Sequence, residues 1–206
     1  MAKLPGFVLP RVILMMFQLF RRTPADDSIP RLYGTIVAQA RAAPFYRVFG
    51  VPDTVNGRFE MVVLHTVLVL RQLEAGPAPA RRLGQALFDW FCADMDGSLR
   101  EMGVGDLAVP AKMRKIGEAF FGRQAAYGEA LSAPDPRPLV AALARNVFDS
   151  PDGSAPGAVR LAAYVRAAAG RLAEQGGEAL GRAELTFPDP EGVMAADGAP
   201  TRDAAS

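Results

Sequence analysis

The sequence predicts an all-α fold: a compact multi-helix domain of about six helices followed by a disordered C-terminal tail. Three observations predict it. Apolar residues recur at three- and four-residue spacing through successive windows, proline or glycine bounds each window, and Pro188 to Ser206 has the composition of a solvated tail. The chain therefore divides into a basic and apolar N-terminal segment with its linker, 1–27, a helical domain, 28–175, and an extended or disordered tail, 176–206.

Composition narrows function before any motif does. Half of the 206 residues are hydrophobic and 22% are charged, which excludes wholesale disorder. A formal net charge of +1 sets up no global field for nucleic acid, so no nucleic-acid specificity is expected. The single cysteine, Cys92, forms no internal disulfide and fits a reducing, cytoplasmic compartment. A single histidine, His65, leaves out histidine-rich metal sites and most histidine-based triads. No metal or cofactor is expected.

Residues 12–20 form an apolar run interrupted by Gln18 and flanked by Arg11, Arg21 and Arg22. A membrane span needs about 20 apolar residues, so the run is too short to cross a bilayer. The following Thr23-Pro24 lacks the small-residue cleavage site of a signal peptide. Two readings stay open: an interfacial helix over residues 11–22 that touches anionic lipid, or an extension upstream of a start at Met15 or Met16.

The first helix opens near Ser28, a candidate N-cap, with Pro30 in its first turn; Leu32, Tyr33, Ile36, Val37 and Ala40 share one face, and the helix ends before Pro44. Phe45, Tyr46 and Phe49 read as core packing beneath a loop, and residues 50–54 as a turn. Residues 56–73 are rich in β-branched side chains, where periodicity does not separate helix from strand. Their length and helical flanks favour a central helix buried on most faces. His65, at its middle, reads as a packed and hydrogen-bonded core residue.

A connector at 74–79 leads into a long third helix carrying Leu83, Leu87, Trp90, Phe91, Met95, Leu99 and Met102 at helical spacing, with Asp89, Asp96 and Arg100 opposite. Asp94 and Asp96 are two residues apart, so they point about 200° apart and do not converge on a metal. Gly103-Val104-Gly105 stops this helix, and Asp106 or a neighbour caps the next. Pro110 fits the first turn of a fourth helix, with Met113, Ile116, Phe120, Tyr127 and Leu131 as its apolar stripe and Lys112, Lys115 and Arg123 as a basic line. Phe88 to Val109 thus joins an acidic helix to a basic one through a glycine stop. On physical grounds alone, such charges pair with each other or stay solvated.

Two further helices follow: about residues 139–148, with Leu143 and Val147 inward, and 158–175, with Leu161, Tyr164, Val165 and Leu172 inward. Gly176 and Gly177 end the last, and 184–187 extends along the surface. There is no phosphate-binding GxxxxGK[ST], no GxGxxG after a strand, no GxSxG and no HExxH.

Several motifs occur in order: Gly50-Val51-Pro52-Asp53-Thr54 with Gly57-Arg58-Phe59-Glu60, Phe91-Cys92-Ala93-Asp94-Met95-Asp96, Leu99 through Leu107, and Ala119-Phe120-Phe121-Gly122-Arg123 through Tyr127. Together they resemble the ubiquinol–cytochrome c chaperone family, bacterial relatives of the mitochondrial assembly factor for respiratory complex III. The resemblance covers roughly residues 28–175, a domain-sized span. It departs locally at Phe121, where a tyrosine is expected.

The resemblance implies an all-helical, non-enzymatic chaperone for newly made cytochrome b, with a small helper protein and the ribosome as further partners of the family. It makes Asp94, Asp96, Arg100, Glu101, Lys112, Lys115 and Arg123 the expected partner-binding residues. Trp90, Phe91, Phe120 and Tyr127 would floor a groove between them, since a client of apolar helices with polar flanks suits an aromatic floor and charged rims. The expected location is cytoplasmic, peripheral at the inner face of the cytoplasmic membrane. Two rivals stand beside it: an enzyme acting on a lipid or quinone with His65 or Asp94 as base, and a helical adaptor for a soluble partner.

Overall fold

The computed structural model describes residues 28–150, 152, 154–181 and 184–197. The apolar run at 12–20, the start candidates Met15 and Met16, and residues 198–206 lie outside the described residues. Among the described residues there are eight helices and no strand. They are α1 (Ser28–Ala40), α2 (Ala43–Arg47), α3 (Val55–Glu74), α4 (Ala78–Glu101), α5 (Val109–Ser132), α6 (Arg137–Val147), α7 (Pro156–Gly181) and α8 (Pro190–Asp197). The fold is all-α, and α1 and α3 to α7 are the six expected helices.

Helix α3 is the axis of the domain. It packs against α1, α4, α5, α6 and α7, and 13 of its 20 residues are buried. A segment enclosed on so many sides has no water for its backbone polar groups, and a helix satisfies them within itself. Thr54 starts it, its hydroxyl accepting from the Gly57 N–H at 3.1 Å. Against this axis lie Leu32 and Ile36 of α1, Leu87 and Phe91 of α4, Phe120 and Tyr127 of α5, Leu139 and Leu143 of α6, and Leu161 and Val165 of α7, all part of one buried cluster.

Three local features differ from the sequence expectation. Ser28 is itself helical rather than a cap, and among the described residues its buried hydroxyl has no hydrogen-bond partner. The Phe45–Tyr46 segment forms a short helix, α2, with Phe45 and Phe49 buried against Tyr164. Packing also continues past residue 175. The backbone leaves helical geometry at Gly176 (φ 70°, ψ 169°), yet α7 resumes to Gly181. Residues 184–189 then run without helix, with Leu185 buried and Thr186 bonded to Gln175 through its N–H and its carbonyl, each at 2.8 Å. Helix α8 follows and packs on α7.

Candidate functional site

The α4–α5 hairpin is built around its glycine stop. Gly103 takes φ 81°, a left-handed conformation that glycine adopts without a Cβ penalty. The Gly103 N–H then bonds the Arg100 carbonyl at 2.9 Å and the Val104 N–H bonds the Leu99 carbonyl at 3.0 Å, the paired closure of a Schellman end. Helix α5 begins at Val109, with Ala108 as an N-cap that makes no side-chain bond and Pro110 in the first turn. Asp106, expected as a cap candidate, instead accepts from Arg100.

Beneath the turn, α4 and α5 meet through rings. Phe88 and Phe120 lie 5.0 Å apart between centroids, Phe91 and Phe120 also 5.0 Å, and Phe88 and Phe121 5.4 Å. Phe91, Phe120 and Tyr127 are fully buried, so in this conformation these three form the core under the hairpin. Trp90, the fourth groove-floor candidate, is 42% exposed and reaches the surface.

The seven charged candidates separate into distinct roles. Asp94 accepts a hydrogen bond from the Tyr33 hydroxyl at 2.8 Å and ties α4 to α1. Burial, with Asp94 second, holds the Tyr33 phenol far above its usual range. Asp96 takes the Arg100 Nε at 2.6 Å, so the two aspartates face different partners, and among the described residues no cluster of metal-ligating side chains forms. Arg100 bridges Asp96 and Asp106 across the turn, all three exposed or half-exposed. Arg123 turns inward to Glu60 of α3, with Nη2 2.6 Å from Oε1 and Nε 2.9 Å from Oε2. Glu101, Lys112 and Lys115 are exposed, and none takes part in a salt bridge among the described residues.

Three exposed apolar residues complete this surface and were not singled out as site residues by their sequence pattern: Met102 (59% exposed), Leu107 (100%) and Phe121 (56%). Two carry a readable signal. Leu107 is a large aliphatic residue inside a turn of glycine and aspartate, and Phe121 adjoins Phe120 on a helix, where neighbours point about 100° apart and only one faces the core.

His65 is fully buried, far from this face in role. Its Nδ1 lies 2.8 Å from the Met61 carbonyl oxygen and its Nε2 3.0 Å from the Tyr164 hydroxyl. A carbonyl only accepts, so Nδ1 carries the proton, Nε2 accepts from Tyr164, and Tyr164 accepts in turn from Gln39 Nε2 at 2.9 Å. Both ring nitrogens are engaged in the core. Burial lowers the imidazole pKa to about 4, keeping it neutral at pH 7. Cys92 is half-buried, and burial pushes its thiol up to about 11, which leaves little reactive thiolate. Among the described residues no helix is long and apolar enough to cross a membrane.

Comparison with known proteins bears on the same chain. Residues 47–187 match the family described as ubiquinol–cytochrome c chaperone. The crystal structure of the Cbp3 homolog from Brucella abortus is similar at 41% sequence identity and a TM-score of 0.75, covering 87% of this chain and 98% of that one. The ubiquinol–cytochrome-c reductase complex assembly factor 1 of Xenopus laevis is 25% identical over 119 residues, which are 58% of this chain. The chain spans 59% of the length of that relative. With two thirds of its length matched and a fold shared almost end to end with the Brucella protein, the chain belongs to the ubiquinol–cytochrome c chaperone family.

Proposed function

We propose that the protein is a non-enzymatic assembly chaperone for respiratory complex III that holds newly made cytochrome b on the outer face of the α4–α5 hairpin. Family membership and the assembly role named for the Xenopus relative support the process. One observation carries the surface: of the seven large hydrophobic residues exposed among the described residues, four (Trp90, Met102, Leu107 and Phe121) lie on this one hairpin. Glu101, Lys112 and Lys115 are exposed charges on the same hairpin, and the Asp96–Arg100–Asp106 bridge stiffens its turn. Apolar side chains next to charges of both signs suit transmembrane segments with polar flanks, which must be held and then released. Asp94 and Arg123 act in this reading as supports, fixing the hairpin to α1 and α3.

The work is done by binding at the cytoplasmic side of the membrane, with the protein peripheral to it and a small helper protein or the ribosome as further partners. Deleting the gene and measuring assembled cytochrome bc complex tests the process, and normal levels reject it. Affinity purification of tagged protein tests the client, since cytochrome b is expected in the eluate and a soluble partner alone would favour an adaptor. Photocrosslinking from positions 101, 107, 112 and 115 tests the surface, and silence at all four moves it elsewhere.

A further inference from the structure

The loop entering α3 walls a cavity of about 230 Å³ lined by Arg41, Ala43, Tyr46, Arg47, Asp53 and Arg58. Of the motif block 50–60, only Glu60 serves the hairpin, and other members shape this wall. Pro52 lies so close to Gly57 that a Cβ there would come 2.0 Å from the Pro52 carbonyl oxygen, so the loop closes only on glycine. Asp53 then sits where it accepts from Arg58 Nε at 2.6 Å. On the opposite side, the Tyr46 hydroxyl donates to the Ala40 carbonyl at 2.8 Å and pins α2 to the end of α1. The Arg58 guanidinium carbon lies 6.0 Å from the centre of the Tyr46 ring.

Charge sets this cavity apart. Three arginines and one aspartate line it, and among the described residues that carboxylate bonds the Nε of Arg58. Among the described residues, Arg41 and Arg47 take part in no salt bridge. Like charges gathered around a concave surface raise the local potential and draw in an anion. The excess of two positive charges matches a phosphate monoester, which carries about −1.5 to −2 at pH 7, better than it matches a single carboxylate. Planar guanidinium forks also bind phosphate oxygens in pairs.

We propose that this cavity binds a phosphate monoester, with Arg41 and Arg47 contacting its oxygens and Asp53 holding Arg58 in position. The phosphate belongs either to a small soluble ligand or to a lipid headgroup, and the site is separate from the hairpin.

Calorimetric titration of the full chain with glycerol 3-phosphate, and flotation with phosphatidylcholine vesicles with and without phosphatidic acid, test it. The pocket variant is Arg41→Gln with Arg47→Gln. A control, Arg82→Gln with Arg160→Gln, removes the same charge from exposed positions elsewhere, and circular dichroism verifies that both stay folded. Wild type and control are expected to bind saturably, and the pocket variant to bind about tenfold or more weakly. Binding to glycerol 3-phosphate identifies a soluble source; binding only to phosphatidic acid vesicles, lost in the pocket variant, identifies a lipid source. Three results overturn the proposal: no saturable binding in either arm, equal loss in the control, or succinate binding as tightly as glycerol 3-phosphate. None of these readouts depends on assembly of complex III, so failure here leaves the chaperone reading standing.

Discussion

Arg123 of α5 closes a two-point ion pair on Glu60 of α3, a residue 63 positions earlier whose side chain is only 3% exposed. The charge-assisted geometry raises the Arg123 pKa, with the hydrogen bond to Glu60 as the main cause. Removing the arginine strands a carboxylate in the core. Arg123→Met is therefore expected to destabilise the protein by about 2–4 kcal/mol, somewhat less than for a fully enclosed pair because water still reaches the guanidinium. Adding Glu60→Leu is expected to recover part of the loss. Urea denaturation checks both, and an Arg123→Met variant as stable as wild type would remove the support role assigned to this residue.

The Gln39–Tyr164–His65–Met61 chain makes a pH prediction. The imidazole pKa falls from 6.5 in the open chain to about 4 in the fold. Below pH 6.5 the unfolded chain thus binds a proton that the native state refuses, so stability is full above that pH and is lost as pH falls toward 4. The shift corresponds to roughly 3 kcal/mol at its limit. His65→Gln is expected to flatten the stability curve in this window relative to wild type, and parallel curves would show that His65 titrates normally. Tyr164→Phe, which takes the donor from Nε2, is expected to cost about 1–3 kcal/mol at pH 7.

What the sequence disclosed follows the range of each interaction. Six helices were legible because helical spacing is local, and His65 was legible as core because it lies alone in an apolar helix. Helix α2 has five residues, fewer than any periodicity needs. Helix α8 was hidden by a Pro/Gly/Ala composition typical of tails. Arg123 looked like part of a basic face because its partner is distant in sequence, whereas the Asp96–Arg100 pairing is an i,i+4 contact readable in advance. An apolar stripe also does not say which members stay wet: Phe91 and Trp90 adjoin in sequence, and one is buried while the other is 42% exposed.

The two turn glycines separate in the structure. Gly103 has φ 81°, while Gly105 shows no positive φ and has open space where a Cβ would stand. Gly103→Ala is expected to cost about 1–2 kcal/mol from left-handed strain, and Gly105→Ala to stay within about 0.5 kcal/mol of wild type. Thermal unfolding of the pair checks this. Equal losses would mean that the turn uses both glycines in the same way.

The hairpin surface is separable from stability because Met102 and Leu107 lie outside the core, at 59% and 100% exposure. Met102→Gln with Leu107→Ser opens no cavity, so unfolding free energy is expected to stay within about 0.5 kcal/mol of wild type. If the proposed client surface is right, assembled cytochrome bc complex is nonetheless expected to fall, because that surface loses its apolar side chains. Val55→Ser with Val159→Ser removes comparably exposed residues, at 74% and 58%, away from the hairpin and serves as the control. Lys112→Glu with Lys115→Glu tests the rim separately, and its effect is expected to shrink at high salt in a purified binding assay because exposed charges are screened. If the control lowers complex levels as much as the hairpin variant does, general surface hydrophobicity rather than this hairpin carries the activity. If the hairpin variant is stable and assembly is untouched, the client lies on another face.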